Sequence, residues 1–162
     1  MRIYLHLIGL SLVFSSCSST MVFKPAETDC YNLASPVAED IYLIINDKRG
    51  KKDFSEELQG ALVNCLNNNY NVILLDKGLT DVLKIYYILD IEEYEAWCEN
   101  DYCNAKTKIT ITCYQNNAAR TIPINKTVNM VNTFNEATAL EALQNSLNEA
   151  IRSTINYIAV VR

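Results

Sequence analysis

The chain has 162 residues, with 14 Lys plus Arg, 19 Asp plus Glu and a formal net charge of −5. That length builds one domain with a substantial core and not two. An acidic balance without a polybasic tract argues against nucleic acid or anionic headgroups as direct ligands.

Met1-Arg2 is followed by an apolar run, Ile3 to Phe14, and then by Ser15-Ser16-Cys17-Ser18-Ser19. A short positive start, an apolar stretch and small residues at its end form a secretory signal, and the run is too short to span a bilayer. Residues 1–16 are expected to be removed as a signal peptide, taking with them Arg2 and the one histidine, His6. A mature chain without histidine has no Ser-His-Asp or Cys-His nucleophile pair, no histidine proton shuttle and no histidine-ligated zinc. The expectation is therefore a protein that is not an enzyme, with no catalytic residue, no cofactor and no metal.

Cys17, directly after Phe14-Ser15-Ser16, resembles the lipobox cysteine of bacterial lipoproteins. The resemblance implies a diacylglycerol on the Cys17 thiol, often with a further acyl chain on its new amine. Two or more acyl chains hold a protein on a membrane stably, where one holds only marginally. Residues 17–39 then read as the lipidated cysteine and a flexible tether, rich in Ser and Thr and carrying Pro25 and Pro36, and residues 40–162 as one domain.

The domain opens with Ile41 to Ile45, a continuous apolar run that reads as a buried strand entering a polar loop at Asn46. Asp53 with Glu56 suggests a capping box, and Phe54, Leu58, Ala61, Leu62 and Cys65 recur at helical spacing. Asn67-Asn68-Asn69 stops that helix, since Asn tolerates the left-handed C-terminal position. Asn71 to Leu75 is a short strand, and strand-helix-strand suggests a parallel crossover. Asp81 to Ile91, Ala105 to Tyr114 and Arg120 to Met130 alternate apolar and polar residues, the pattern of a sheet with one solvated face. Pro123 puts the last of them at an edge or a bulge. Thr133 and Glu136 suggest a second capping box, followed by a stripe from Leu140 through Leu143, Leu147 and Ile151 to Ile158. The expected fold is α+β: β-α-β-β-β-β-α, a mixed, mostly antiparallel five-stranded sheet with two helices packed on one face.

This layout behind a lipobox resembles the YajG-like family of small outer-membrane lipoproteins. The shared features are the Asp47-Lys48-Arg49 turn after the first strand, the amphipathic helix running into a short strand, and an Asn-rich last helix with Asn135, Asn145 and Asn148. The chain departs from the family in its cysteines and in lacking a glycine before Tyr70. The resemblance implies a fold and a location, an outer-membrane lipoprotein facing the periplasm, and no biochemical activity. Ser18 agrees with that location, because it is not the aspartate that retains enterobacterial lipoproteins in the inner membrane.

Five cysteines besides Cys17 remain in an oxidising compartment: Cys30, Cys65, Cys98, Cys103 and Cys113. At most two disulfides can form within the chain. Cys98 and Cys103 could staple a loop, while Cys65 and Cys113 suit small buried hydrophobes. Between the two long strands, Glu92 to Cys103 concentrates carboxylates, aromatics and thiols. Tyr94, Trp97, Tyr102, Glu95, Glu99 and Asp101 are the candidate partner-binding residues, since Trp and Tyr on a stapled hairpin make rigid anchors. Alternatives are a carboxylate cation site, whose spacing lacks the pattern of a calcium loop, and a solvated cap on the core. Asp47-Lys48-Arg49 with Lys51-Lys52 is the one basic cluster, read as a solvated turn or as a site for an acidic partner. The expected function is that of a lipid-anchored interaction or assembly module with an envelope protein partner and no nucleic acid. The alternatives are a binder of a small ligand or cell-wall fragment and a thiol-redox protein.

Overall fold

The computed structural model describes residues 19–26, 30–34, 39–76, 80, 83–116 and 118–161. The expected signal segment, Cys17, Pro36 and the Asp81 start of the third expected strand lie outside the described residues. The elements are β1 (Asp40–Asp47), α1 (Ser55–Asn67), β2 (Asn71–Leu74), β3 (Ile85–Glu99), β4 (Tyr102–Gln115), β5 (Ala118–Val131) and α2 (Glu136–Val161). The order is the expected β-α-β-β-β-β-α, and the five strands form one sheet in the order β2-β1-β3-β4-β5. β1 is parallel to both neighbours, whereas β3–β4 and β4–β5 are antiparallel.

Alternation decides which face is core. Tyr87, Leu89 and Ile91 on β3 and Cys103, Ala105, Thr107, Ile109, Ile111 and Cys113 on β4 point to one side and are buried. Both helices contribute to the same core: Leu58, Leu62, Cys65 and Leu66 from α1, and Leu143, Leu147, Ile151, Ile155 and Ile158 from α2. The α2 stripe includes small residues, Ala139, Ala142, Ser146 and Ala150, all fully buried, which let the helix axis approach the sheet. Pro123 lies on the edge strand β5, where a missing donor is tolerated.

Both expected capping boxes are replaced. Residue 54 stays out of α1: Phe54 takes a left-handed conformation (φ 58°), makes no side-chain cap bond and is 38% exposed. The Asp53 carbonyl instead accepts a bond from Arg49. Before α2, Asn135 is left-handed (φ 49°). The Thr138 hydroxyl accepts from the Thr133 and Phe134 amides at 3.4 and 3.2 Å, and Asn132 Oδ1 accepts from the Asn135 amide. A hydroxyl inside the first turn thus takes the Thr133 amide, the donor that Glu136 was expected to satisfy.

The expected tether is, in its described part, strapped to the domain. Met21 and Ala96 exchange backbone hydrogen bonds of 2.7 and 2.9 Å. Cys30 is disulfide-bonded to Cys65 of α1, so Cys65 is a bridge as well as a buried side chain. Asn69 donates to the Tyr31 carbonyl and accepts from the Leu33 amide, and the Arg152 guanidinium lies 4.9 Å from the Tyr31 ring centroid. Composition made this stretch read as flexible, but Val22, Phe23, Tyr31 and Leu33 pack against the core and the disulfide closes the loop.

Candidate functional site

The segment Glu92–Cys103 is not a loop. β3 runs on to Glu99 and β4 starts at Tyr102, leaving Asn100 and Asp101 as a two-residue turn. Asn100 takes φ 52°, a conformation that Asn adopts more readily than most residues. The Cys98–Cys103 disulfide bridges directly opposed residues just inside the turn, so the hairpin end is covalently closed.

A bulge between Ile91 and Glu93 shifts the alternation by one residue. It turns Glu92 and Glu93 to the face away from the helices and returns Tyr94 and Ala96 to the core. On the outer face Glu93 pairs with Lys106 and Glu92 with Lys108, each at 2.6 Å. Thr110 donates to Glu92 at 2.7 Å and Asn129 to Asn104 at 2.7 Å. The hydrogen bonds from Lys108 and then Thr110 hold the Glu92 carboxyl below its ordinary range, and Glu92 in turn raises the Lys108 ammonium. Two of the acids in the segment are therefore already neutralised by cross-strand lysines.

Glu95 and Trp97 also lie on this outer face, opposite Lys106 and Asn104, and both are half-buried. Glu99 and Asp101 are exposed at the turn, and Tyr102 is 49% exposed. Tyr94 does not join them. The bulge turns it inward, where it is 2% exposed, and burial pushes its phenol well above the ordinary range. It cannot anchor a partner.

Tyr94 belongs to a second group that the sequence did not disclose. Arg49, expected on a solvated turn, is buried. Its Nε donates to Asp47 Oδ1 at 2.9 Å and its Nη2 to Asp47 Oδ2 at 2.6 Å, and its guanidinium lies 5.8 Å from the Tyr94 ring centroid. Burial alone would raise the Asp47 carboxyl; hydrogen bonds from Arg49 and Ser55 and the charge of Arg49 outweigh it and hold the group at about 2. Arg49 Nη1 and the Tyr94 hydroxyl are buried without a hydrogen-bond partner among the described residues. Arg49 and Tyr94 are among the residues lining a slot of about 310 Å³ between the end of β1 and residues 20–22, whose walls include Thr20, Lys51 and Glu92. The one available sequence signal was the Asp-x-Arg spacing, which lets an arginine fold back on the carboxylate two residues earlier. Lys48 of the same turn faces outward and donates to Asp90 at 2.6 Å.

Cys113 is a buried free thiol among the described residues, raised by burial. No group of three or more His, Cys, Asp or Glu among the described residues is placed to hold a metal ion. No described helix is long and apolar enough to cross a membrane.

No family model and no curated protein matches the sequence. Solved structures do match in fold. The chain is similar to the hypothetical protein CT253 from Chlamydia trachomatis, with a TM-score of 0.51, 8% identity and coverage of 74% of this chain and 99% of that one. PelC from Paraburkholderia phytofirmans, a dodecamer, gives a TM-score of 0.41 at 10% identity, covering 82% of this chain and 98% of that one. Lipoprotein GNA1162 from Neisseria meningitidis gives 0.37 at 9% identity, covering 76% and 99%. Bacterial lipoproteins are thus among the structures this chain is similar to, and at these identities the likeness is one of fold.

Proposed function

We propose that this chain is an envelope lipoprotein, acylated at Cys17, that works as a non-enzymatic interaction or assembly module facing the periplasm from the outer membrane. The anchor rests on the lipobox resemblance and the membrane assignment on Ser18 and the YajG-like layout. The two disulfides accord with an oxidising, extracytoplasmic compartment.

The observation that carries the interaction role is the outer face of the β3–β4–β5 end. Helices cover one side of this sheet; the other presents Glu95 and Trp97 beside a ladder of paired charges, on a hairpin closed by Cys98–Cys103. A preorganised surface of this kind loses little conformational entropy on binding, and its half-buried tryptophan is the residue type most enriched at binding hot spots. Affinity recovery from crosslinked envelopes is expected to yield a stable partner, and Trp97→Ala or Glu95→Lys to weaken its recovery. Unchanged recovery with both substitutions would remove this face from the function.

A second reading, a small-ligand or cell-wall-fragment binder, is favoured by one feature. A groove of about 550 Å³ lies between α1 and the β1–β2 edge, lined by Ile45, Val63, Leu74 and Leu75 with Glu56 and Asn64 at its polar side. A thermal-shift panel of glycans and lipids tests it, with stabilisation expected for a true ligand and a flat panel counting against it.

A further inference from the structure

The strap at Met21 fixes where the chain leaves the domain. Met21 pairs antiparallel with Ala96, so the chain on the N-terminal side of Met21 heads along β3 toward the Asn100-Asp101 turn. Cys17 stands four residues before Met21, a reach of at most about 14 Å. The turn lies four residues beyond Ala96, about 13 Å along the strand. The hairpin end is therefore within reach of an acyl group on Cys17.

That end exposes three large apolar side chains within an acidic rim. Tyr102 (49% exposed) pairs with Val131 (64%), and Phe134 (78%) stands in the connection to α2. The Asn132 amide donates to the Asp101 carbonyl at 2.7 Å, which ties that connection to the hairpin turn and gathers the three side chains at one end. Ile85, also exposed, begins β3, roughly 45 Å away along the strand, beyond the reach of the anchor. The charged residues of the end are acidic, Glu99, Asp101 and Glu136, all exposed. Neither 97–105 nor 127–141 contains a lysine or arginine.

We propose that Tyr102, Val131 and Phe134 rest in the headgroup layer of the bilayer that receives the Cys17 acyl chains, so that the domain stands end-on with β3, β4 and β5 rising from the membrane. The surface so addressed is zwitterionic, because an acidic rim without a basic residue is repelled by anionic lipid. Tyr102, with an apolar ring and a wet hydroxyl, favours this depth, and Val131 and Phe134 add apolar surface beside it. The inference rests on the lipoprotein reading. It leaves the sheet face with Glu95 and Trp97 open to a partner standing beside the domain.

Trp97 is the single tryptophan and lies three residues from the turn, so its emission reports the orientation. The acylated full-length protein is reconstituted into phosphatidylethanolamine–phosphatidylcholine vesicles carrying a shallow spin-labelled lipid quencher. Trp97 is expected to be quenched, and Phe134→Ser with Tyr102→Ser, both at exposed positions, to lose most of that quenching while the protein still floats with the vesicles. Adding phosphatidylglycerol is expected to reduce quenching in the unsubstituted protein. Flotation and the acyl mass increment are read in the same samples. A floated, acylated protein whose Trp97 escapes quenching overturns the orientation and leaves the anchor standing, whereas absence of the acyl mass overturns both. Unaltered quenching in the double variant, accompanied by loss of a protein partner, would reassign the end to protein contact and overturn the proposal.

Discussion

Met21 and Ala96 exchange both of their backbone hydrogen bonds, at 2.7 and 2.9 Å, beyond the point where β1 stops pairing with β3 at Asp47 and Ile91. A residue of the presumed tether thereby continues the sheet. Replacing Met21 by proline removes the donor to Ala96, and the orphaned Ala96 carbonyl costs about 1–3 kcal/mol if it stays dry. The expected result is loss of hydrogen-exchange protection at the Ala96 amide and faster proteolysis at Lys24, with core amides on β4 unchanged. Retained protection at Ala96 would show that the pairing contributes nothing.

The two disulfides differ in the loop each closes. Cys30–Cys65 spans 35 residues and Cys98–Cys103 spans 5. On the chain-entropy account the first stabilises by about 4 kcal/mol and the second by about 2 kcal/mol. Paired Cys→Ala variants in urea titrations are expected to rank in that order. Equal losses would mean that strap packing, rather than loop closure, sets the effect of Cys30–Cys65.

The Asp47–Arg49 pair makes stability depend on acid. Asp47 falls from 3.8 to about 2 on folding, so the folded form holds this carboxylate charged where the unfolded chain would protonate it. Its contribution is present above about pH 4 and lost as pH falls toward 2, a difference of about 2 kcal/mol. Asp47→Asn is expected to remove that slope from the acid limb of a pH–stability curve. Because it leaves the buried Arg49 charge uncompensated, it also costs about 3–5 kcal/mol at neutral pH. An unchanged acid limb in the variant would assign the slope to other carboxylates.

A buried hydroxyl pair joins α2 to the sheet. Thr107 Oγ1 and Ser146 Oγ are 2.7 Å apart, and Ser146 Oγ also bonds the Leu143 carbonyl at 2.9 Å. Thr107→Val leaves Ser146 with that carbonyl and is expected to cost about 1 kcal/mol. Ser146→Ala strands the Thr107 hydroxyl at a fully buried position and is expected to cost about 1–3 kcal/mol, and the double variant less than the sum of the two. Additive losses in thermal or denaturant melts would show that the pair is not coupled.

Element order, the core stripe of α2 and the edge position of Pro123 were legible in the chain, because alternation and helical spacing are local patterns written by burial on one face. The hairpin staple was legible for the same reason: its two cysteines are five residues apart. The inward turn of Tyr94 was not, because a single bulge at Ile91/Glu93 reverses which residues face the core, and periodicity read across it gives the wrong side. The burial of Arg49 and the docking of Met21, Cys30 and Tyr31 were hidden too, since each depends on partners far along the chain: Tyr94, Ala96, Cys65 and Arg152. Local composition determined what kind of elements this protein has and in what order they come. Only the tertiary structure decided that the segment around Met21 is fastened alongside β3, because pairing across a long stretch of chain is set by the space left beside β3 beyond the end of β1 and not by the sequence of the strap.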